Sequence, residues 1–453
     1  MSNINQHYIA VIGGSVAGSE AAIQLAEKGF KVAVFDQMAL PYGKIEDGLP
    51  KWHVKLRDKE EGIIDQKLQH PNIRFIPNCS LGRDIQFDQL VNEWNFSAVI
   101  LAIGAWKDRQ LAIPGIEKFI NKGLIYQNQF IKWFNHYHEK DYSGIHYEIP
   151  DGVGVIGGGL ASIDVIKIVQ IYTVQKALAK KGIVEDIFSL ERGIDRVLEK
   201  HDLTMKDLGL KGATLIYRKT ARDMPLRPYD SEDQREKSRE VSEKMLTISM
   251  DRYKFNFIPN SIAVKAIVNN SKLEGIVFQK TLVKDEQSIP IEGSEFNFYS
   301  PLIISSIGSL PELISGIPVK SNLLNTTGPG GCQITGFKNV FAVGNAVTGR
   351  GNIKESRSHG RASVDKIFEL HLDPKIRQFQ TKLRTLESKT GDQVREISGQ
   401  IQVNHPISQE TILSIDKKID GIQKKVGYDG DYFKWKEKHL WERVEDNSIK
   451  AEL

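Results

Sequence analysis

Cysteine is nearly missing from this chain: its 453 residues include two, Cys79 and Cys332, far apart in sequence. No CxxC pair exists, which excludes a thioredoxin-like redox disulfide as the next electron carrier. An iron–sulfur cluster needs about four thiolates, so a cluster of the usual kind is excluded too, and no metal site is expected. This thiol poverty fits a reducing cytoplasm. Long apolar runs are also missing. Nowhere do about 18 apolar residues stand together, so no membrane-spanning helix is expected. The polar stub Met1–Gln6 runs straight into the apolar Tyr8–Ile12, without signal-peptide architecture, so a soluble cytoplasmic protein is expected. Charge of one sign is scarce as well. A net +4 from 61 Lys+Arg against 57 Asp+Glu points to neither nucleic acid nor a membrane surface as partner.

What the chain does have is glycine placed at the ends of apolar runs. Tyr8–Ile12, Gly152–Ile156 and Val340–Val343 are each followed by glycine-rich punctuation. Ala98–Ile103 and Leu302–Ile307 read as strands buried on both faces, as in parallel sheets. This order predicts an α/β fold of two Rossmann-like dinucleotide-binding domains, one inserted into the other. The outer domain is expected over 1–115 and 325–370, the inserted one over 116–324, and a C-terminal helical arm over 371–453. In the arm, Lys375–Ser388 and Gln409–Val426 are compatible with helices, and a turn is expected at Tyr428–Asp431. No chemistry is visible there, and packing on the body is its expected role.

The first loop runs Ile12-Gly13-Gly14-Ser15-Val16-Ala17-Gly18 between a strand and a helix start. Gly13 permits the sharp turn, Gly18 permits close packing of helix on strand, and the amides at Val16 and Ala17 face a pyrophosphate. Ser15 stands where a second glycine is usual; it is small and brings a hydroxyl. The next strand, Lys31–Phe35, ends on Asp36, placed to accept hydrogen bonds from a ribose diol. The second loop, Ile156-Gly157-Gly158-Gly159-Leu160-Ala161-Ser162, repeats the grammar with both turn glycines present and Ser162 in place of the third. The strand that should read its ribose, Ala213–Tyr217, ends in Arg218-Lys219 rather than in an acid. Two cations suit a 2′-phosphate, so NADPH is expected over NADH.

Further segments carry a more specific likeness: Leu40-Pro41-Tyr42-Gly43, Gly48-Leu49-Pro50-Lys51-Trp52-His53, Leu81-Gly82-Arg83-Asp84, Ala102-Ile103-Gly104-Ala105 and Gly344-Asn345-Ala346-Val347-Thr348-Gly349. With the two loops, they resemble the adrenodoxin-reductase type of ferredoxin–NADP reductase and the related small subunit of glutamate synthase, over roughly Tyr8–Glu369. The resemblance implies FAD and NADP as cofactors, with the NADP domain inserted into a split FAD domain. It implies Gly43 and Lys44 near the flavin and Leu81 near the adenine, with Ala102 and Gly104 also among the cofactor-binding residues. Gly344 and Asn345, with Gly351, Asn352 and Ile353, would lie against the pyrophosphate and ring. His53 and Asp164 fall on a histidine and an aspartate of the reductases, and a His–carboxylate pair of this kind could relay protons as the flavin changes protonation.

The function so implied is an FAD-dependent NADPH oxidoreductase handing electrons to a small acidic carrier, ferredoxin or flavodoxin. Arg235, Lys237, Arg239 and Lys244, after Pro228, are candidate docking cations, interleaved with acids. One alternative is a flavoprotein subunit of a larger complex, although the cysteine-rich cluster domain of the glutamate synthase subunit is missing. A flavin monooxygenase is another, although its histidine-containing segment between the loops is not evident. A non-catalytic flavin-dependent interaction protein is the third. The oligomeric state is open.

Overall fold

The computed structural model describes residues 6–227, 229, 231–327, 331–348, 374–441 and 443. The chain opens with β1 (Tyr8–Ile12), α1 (Val16–Glu27), β2 (Lys31–Phe35), α2 (Lys44–Gly48), α3 (Val54–Leu68), β3 (Ile73–Ile76), α4 (Phe87–Asn92) and β4 (Ala98–Leu101). It continues through β5 (Leu124–Tyr126), α5 (Gln127–His136), β6 (Gly154–Gly157), α6 (Leu160–Lys180), α7 (Ile187–Glu191), α8 (Ile194–Glu199), β7 (Thr214–Ile216) and α9 (Glu232–Tyr253). Then come β8 (Asn256–Ile258), β9 (Ser261–Asn269), β10 (Lys272–Lys284), β11 (Gln287–Tyr299) and β12 (Ile303–Ser306). The last part holds β13 (Thr326–Thr327), β14 (Gln333–Ile334), β15 (Val340–Ala342), α10 (Asn345–Thr348), α11 (Pro374–Gln402), α12 (Gln409–Val426) and α13 (Tyr432–His439).

These elements gather into two compact units. The first collects the described residues of 1–49, 53–107 and 309–453, and the second those of 50–52 and 108–308. The exchanges fall at Lys107/Asp108 and Gly308/Ser309, ahead of the edges read at 115 and 324. Each crossing lies a few residues past a parallel strand, β4 or β12, and past a glycine with positive φ, Gly104 or Gly308. In the first unit a seven-stranded sheet runs in the order β13-β14-β15-β4-β1-β2-β3. The stretch from β15 to β3 is parallel, and β13 and β14 add an antiparallel edge. β1 is buried along its whole length, which explains its unbroken apolar sequence YIAVI. α1, α3 and α11 cover one face, with Ala21, Leu25, Ile64, Leu383 and Ile397 in a single cluster; α12 helps to close the other, through Ile412, Ile415 and Ile419.

The second unit has its own five-stranded parallel sheet, β5-β12-β6-β7-β8, packed with α5, α6 and α9. Beside it lies a three-stranded antiparallel sheet, β9-β10-β11, which the sequence reading did not anticipate. Between Val169 and Lys211 the chain continues α6 to Lys180 and then forms α7 and α8. In the arm, α11 runs on to Gln402, past the predicted Ser388, and α13 is an additional helix. Among the described residues no helix is long and apolar enough to cross a membrane.

Candidate functional site

The first glycine loop opens one wall of a cleft of about 320 Å³ in the first unit. Gly13 has φ +97, and a β-carbon there would lie 2.5 Å from the Ala102 carbonyl oxygen, so the turn and the close approach to β4 both demand glycine. Gly18 lies outside the lining; a β-carbon on it would overlap the Gly13 carbonyl, which is the helix–strand packing expected of it. Ser15 precedes α1 with extended backbone, and the first-turn amides of a helix have no intrahelical partner. The Ser15 hydroxyl, however, donates to the Tyr42 carbonyl at 3.0 Å. It braces the Tyr42–Gly43 turn.

Asp36, at the end of β2, is buried at the floor of the same cleft. Its carboxylate accepts from the Gly14 amide at 2.7 Å and from the Met38 amide at 2.9 Å. Burial pushes its pKa up to about 6, against the pull of those two donors. Gly13, Ser15, Val16, Ala17, Asp36, Gly43, Lys44, Leu81, Ala102, Gly104, Gly344 and Asn345 all line this cleft, brought there from separate stretches of sequence. Lys44 donates to the Ser309 hydroxyl at 3.1 Å and sits 5.7 Å over the Trp106 ring. Gly344 has φ +71, and a β-carbon there would stand 2.7 Å from that of Ala17, so the late strand meets the first loop at backbone distance. The cradle of backbone amides, the buried carboxylate and the glycine contacts fit an adenine dinucleotide such as FAD. Gly351, Asn352 and Ile353 lie outside the described residues.

The second glycine loop belongs to the second unit. A β-carbon on Gly157 would come 2.4 Å from the Ser306 carbonyl oxygen, while Gly159 has nothing within 4 Å of that position. Gly159 therefore borders open space ahead of α6, the spacing a phosphate needs. The Ser162 hydroxyl donates back to the Gly159 carbonyl at 2.6 Å and tightens the turn. Leu160 and Ala161 supply the first turn of α6. Arg218 is exposed at the end of β7 with Lys219 beside it. Among the described residues neither is drawn into an ion pair with a carboxylate. Tyr217 packs its ring on Gly158 and donates its hydroxyl to the Asp223 carbonyl.

The two remaining candidates fall in different units. His53 is buried at the N-cap of α3, where its carbonyl receives the Leu56 and Arg57 amides. Asp164 lies in the first turns of α6, three residues before Lys167. Burial lowers the Lys167 pKa, but Glu191, Tyr253 and then Asp164 outweigh it and hold the ammonium charged. Of the candidate docking cations, Arg235 pairs with Glu232 and Glu286, and Arg239 with Asp223 and Glu236. Lys237 and Lys244 are exposed.

Sequence reasoning missed one wall of the cleft altogether: Phe379, Lys382, Leu383 and Leu386 of α11 line it, with Thr385 and Lys389. The segment was readable as a helix, but that does not say which surface the helix meets. A roomier hollow of about 850 Å³ lies between β3 and the turn after α12. Arg74 there is tied to Asp416 and Asp420, and no glycine loop reaches it, so it is not the chemical site.

A family model described as pyridine nucleotide-disulphide oxidoreductase matches residues 7–205. NADPH-ferredoxin reductase FprA of Mycobacterium leprae is 25% identical over 400 residues, 80% of this chain and 84% of that protein. The solved structure of Mycobacterium tuberculosis FprA in complex with NADPH superposes with a TM-score of 0.66 at 19% identity, covering 92% of this chain and 91% of that one. The chain is similar to the NADPH–ferredoxin reductases. It is similar in part to the glutamate synthase (NADPH) small chain of Bacillus subtilis, 32% identical over 162 residues that make up 35% of this chain and 31% of that protein. The fold is thus the two-dinucleotide α/β arrangement predicted. Thiol chemistry is not part of it here. Cys79 and Cys332 are buried, and burial pushes their thiols up to about 12 and about 11, far from the reactive thiolate.

Proposed function

We propose that this chain is an FAD-dependent NADPH oxidoreductase that passes electrons to a small acidic carrier such as ferredoxin or flavodoxin. The observation carrying this reading is the doubling of one device: a glycine loop opening a helix N-terminus, once above Asp36 and once beside Arg218 and Lys219. The first site holds FAD and the second NADPH. A carboxylate at the ribose selects a free diol, and two cations select a 2′-phosphate. When bound, the flavin accepts the two electrons of a hydride and releases them singly.

The chain's own contribution is position and charge. The α1 and α6 amides hold diphosphates, Asp36 holds a ribose, and Lys44 brings positive charge toward the flavin end. His53 and Asp164 are the proposed proton-relay residues, and Lys237 and Lys244 the proposed docking cations. The test is anaerobic stopped-flow absorbance of the flavin-loaded protein mixed with NADPH and, separately, with NADH. Fast bleaching of the flavin band by NADPH, far ahead of NADH, is expected. An oxidised spectrum that persists with both nucleotides would overturn the reading. The relay is tested by turnover of His53→Ala and Asp164→Asn with a competent carrier; wild-type rates in both would remove it.

A further inference from the structure

We infer that the C-terminal helix α11 is part of the FAD site, with Lys382 and Lys389 supplying positive charge to the diphosphate of the dinucleotide. The inference rests on the FAD reading of the first cleft and adds a second source of binding charge to it. The two lysines stand seven residues apart, so they share one face of the helix, and both line the cleft that begins at the first glycine loop. Leu386, on the same stripe, brings its terminal carbon to 3.6 Å from the position a β-carbon on Gly344 would take, where that glycine crosses Ala17. The stripe therefore lies against the loop itself.

The helix is held there by built contacts. Leu383 and Ile397 are buried in the same apolar cluster as Ala21 and Leu25 of α1. Glu387 accepts from Lys67 at 2.7 Å, and Arg384 reaches the buried Glu60 at 2.6 Å. The Ser15 hydroxyl is turned to Tyr42, so the loop itself offers a diphosphate its backbone amides. Among charged residues the cleft is lined by Lys44, Lys382 and Lys389 against Asp36 and Glu312, an excess of positive charge that a dianionic diphosphate would neutralise.

The test uses full-length protein stripped of flavin, titrated with FAD over a range of KCl concentrations and followed by flavin fluorescence. Lys382→Ala/Lys389→Ala should raise the FAD dissociation constant by about tenfold or more and flatten its salt dependence. Lys382→Arg/Lys389→Arg should restore both. ADP and adenosine serve as probes: wild-type protein should prefer ADP strongly, and the double alanine variant should lose most of that preference. Equal FAD affinity and equal ADP preference in wild type and double variant, with matching circular dichroism, would overturn the assignment and leave the FAD reading standing. Stripped wild-type protein that takes up no FAD would overturn the FAD reading itself.

Discussion

Asp36 is a carboxylate held at the boundary between its two charge states. Its pKa in the fold, about 6, lies above the ordinary value of 3.8. The folded, cofactor-free protein therefore binds this proton more tightly than the unfolded chain, and the group subtracts stability as pH rises from about 4 to about 6. A ribose diol donating to the carboxylate favours the charged form. FAD affinity should thus strengthen as pH rises toward 6 and level off above it, a dependence that Asp36→Asn should abolish. Titration of the stripped protein from about pH 5 to about pH 8 reads this directly, and an unchanged slope in Asp36→Asn would refute it. The glycines of the second loop separate two roles in the same manner. Gly157→Ala forces a β-carbon onto the Ser306 carbonyl and should cost about 2 kcal/mol or more of stability. Gly159→Ala meets nothing, so the melting temperature should hold while NADPH binding weakens. A stability loss in Gly159→Ala equal to that of Gly157→Ala would contradict the assignment of Gly159 to the phosphate. Arg218→Ala should weaken NADPH far more than NADH, and equal effects would end its role at the 2′-phosphate.

At the scale of elements, the glycine loops were legible because their chemistry is local: strand, turn and helix start occupy fewer than twenty consecutive residues. The tail was illegible because its partners are not local. Trp435 donates to the Ala39 carbonyl, Tyr432 and Lys436 to Asp65, and Arg443 to Glu46 and Glu61, so α13 and the segment after it brace the loop and helices that follow β2. The side chain of Arg443 is 7% exposed. With Arg57 it balances Glu46 and Glu61, and burial first, with Glu46 beside it, pushes Glu61 up to about 8 despite Arg443. Removing one member of such a buried cluster typically costs about 3–5 kcal/mol. The sign with pH is fixed: a raised acid destabilises increasingly as pH climbs from about 4.5 toward 8, and Arg443 offsets that loss. Arg443→Ala should therefore cost more at about pH 9 than at about pH 5, read by urea unfolding at both. Equal costs would show that the arginine acts through packing alone. The β9–β11 sheet was illegible for another reason. Much of it stays exposed, so the alternation that marks a half-buried strand is weak.

Among the described residues the first unit is built on the seven-stranded sheet and the second on the five-stranded one, each with its own apolar clusters and one dinucleotide loop. Order along the chain suggested an inserted domain with edges at 115 and 324, whereas the described residues divide at 107/108 and 308/309. The exact crossings did not stand out, since a change of unit leaves no compositional mark. Separate cores have a thermodynamic consequence. A ligand stabilises what it binds by RT ln(1 + [L]/Kd), about 2.7 kcal/mol at a hundredfold excess over Kd, and only the cooperative unit containing its site is stabilised. Calorimetry of the stripped protein should resolve two unfolding transitions. FAD should raise one and NADP+ the other, and Gly157→Ala should lower only the transition that NADP+ raises. The chain order makes this a demanding expectation, because the first unit is assembled from segments that precede and follow the second in sequence. Its transition requires the two ends to come together and is the one FAD should protect. A single transition raised by both ligands would mean that the units unfold as one, and the division by core would then carry no energetic meaning.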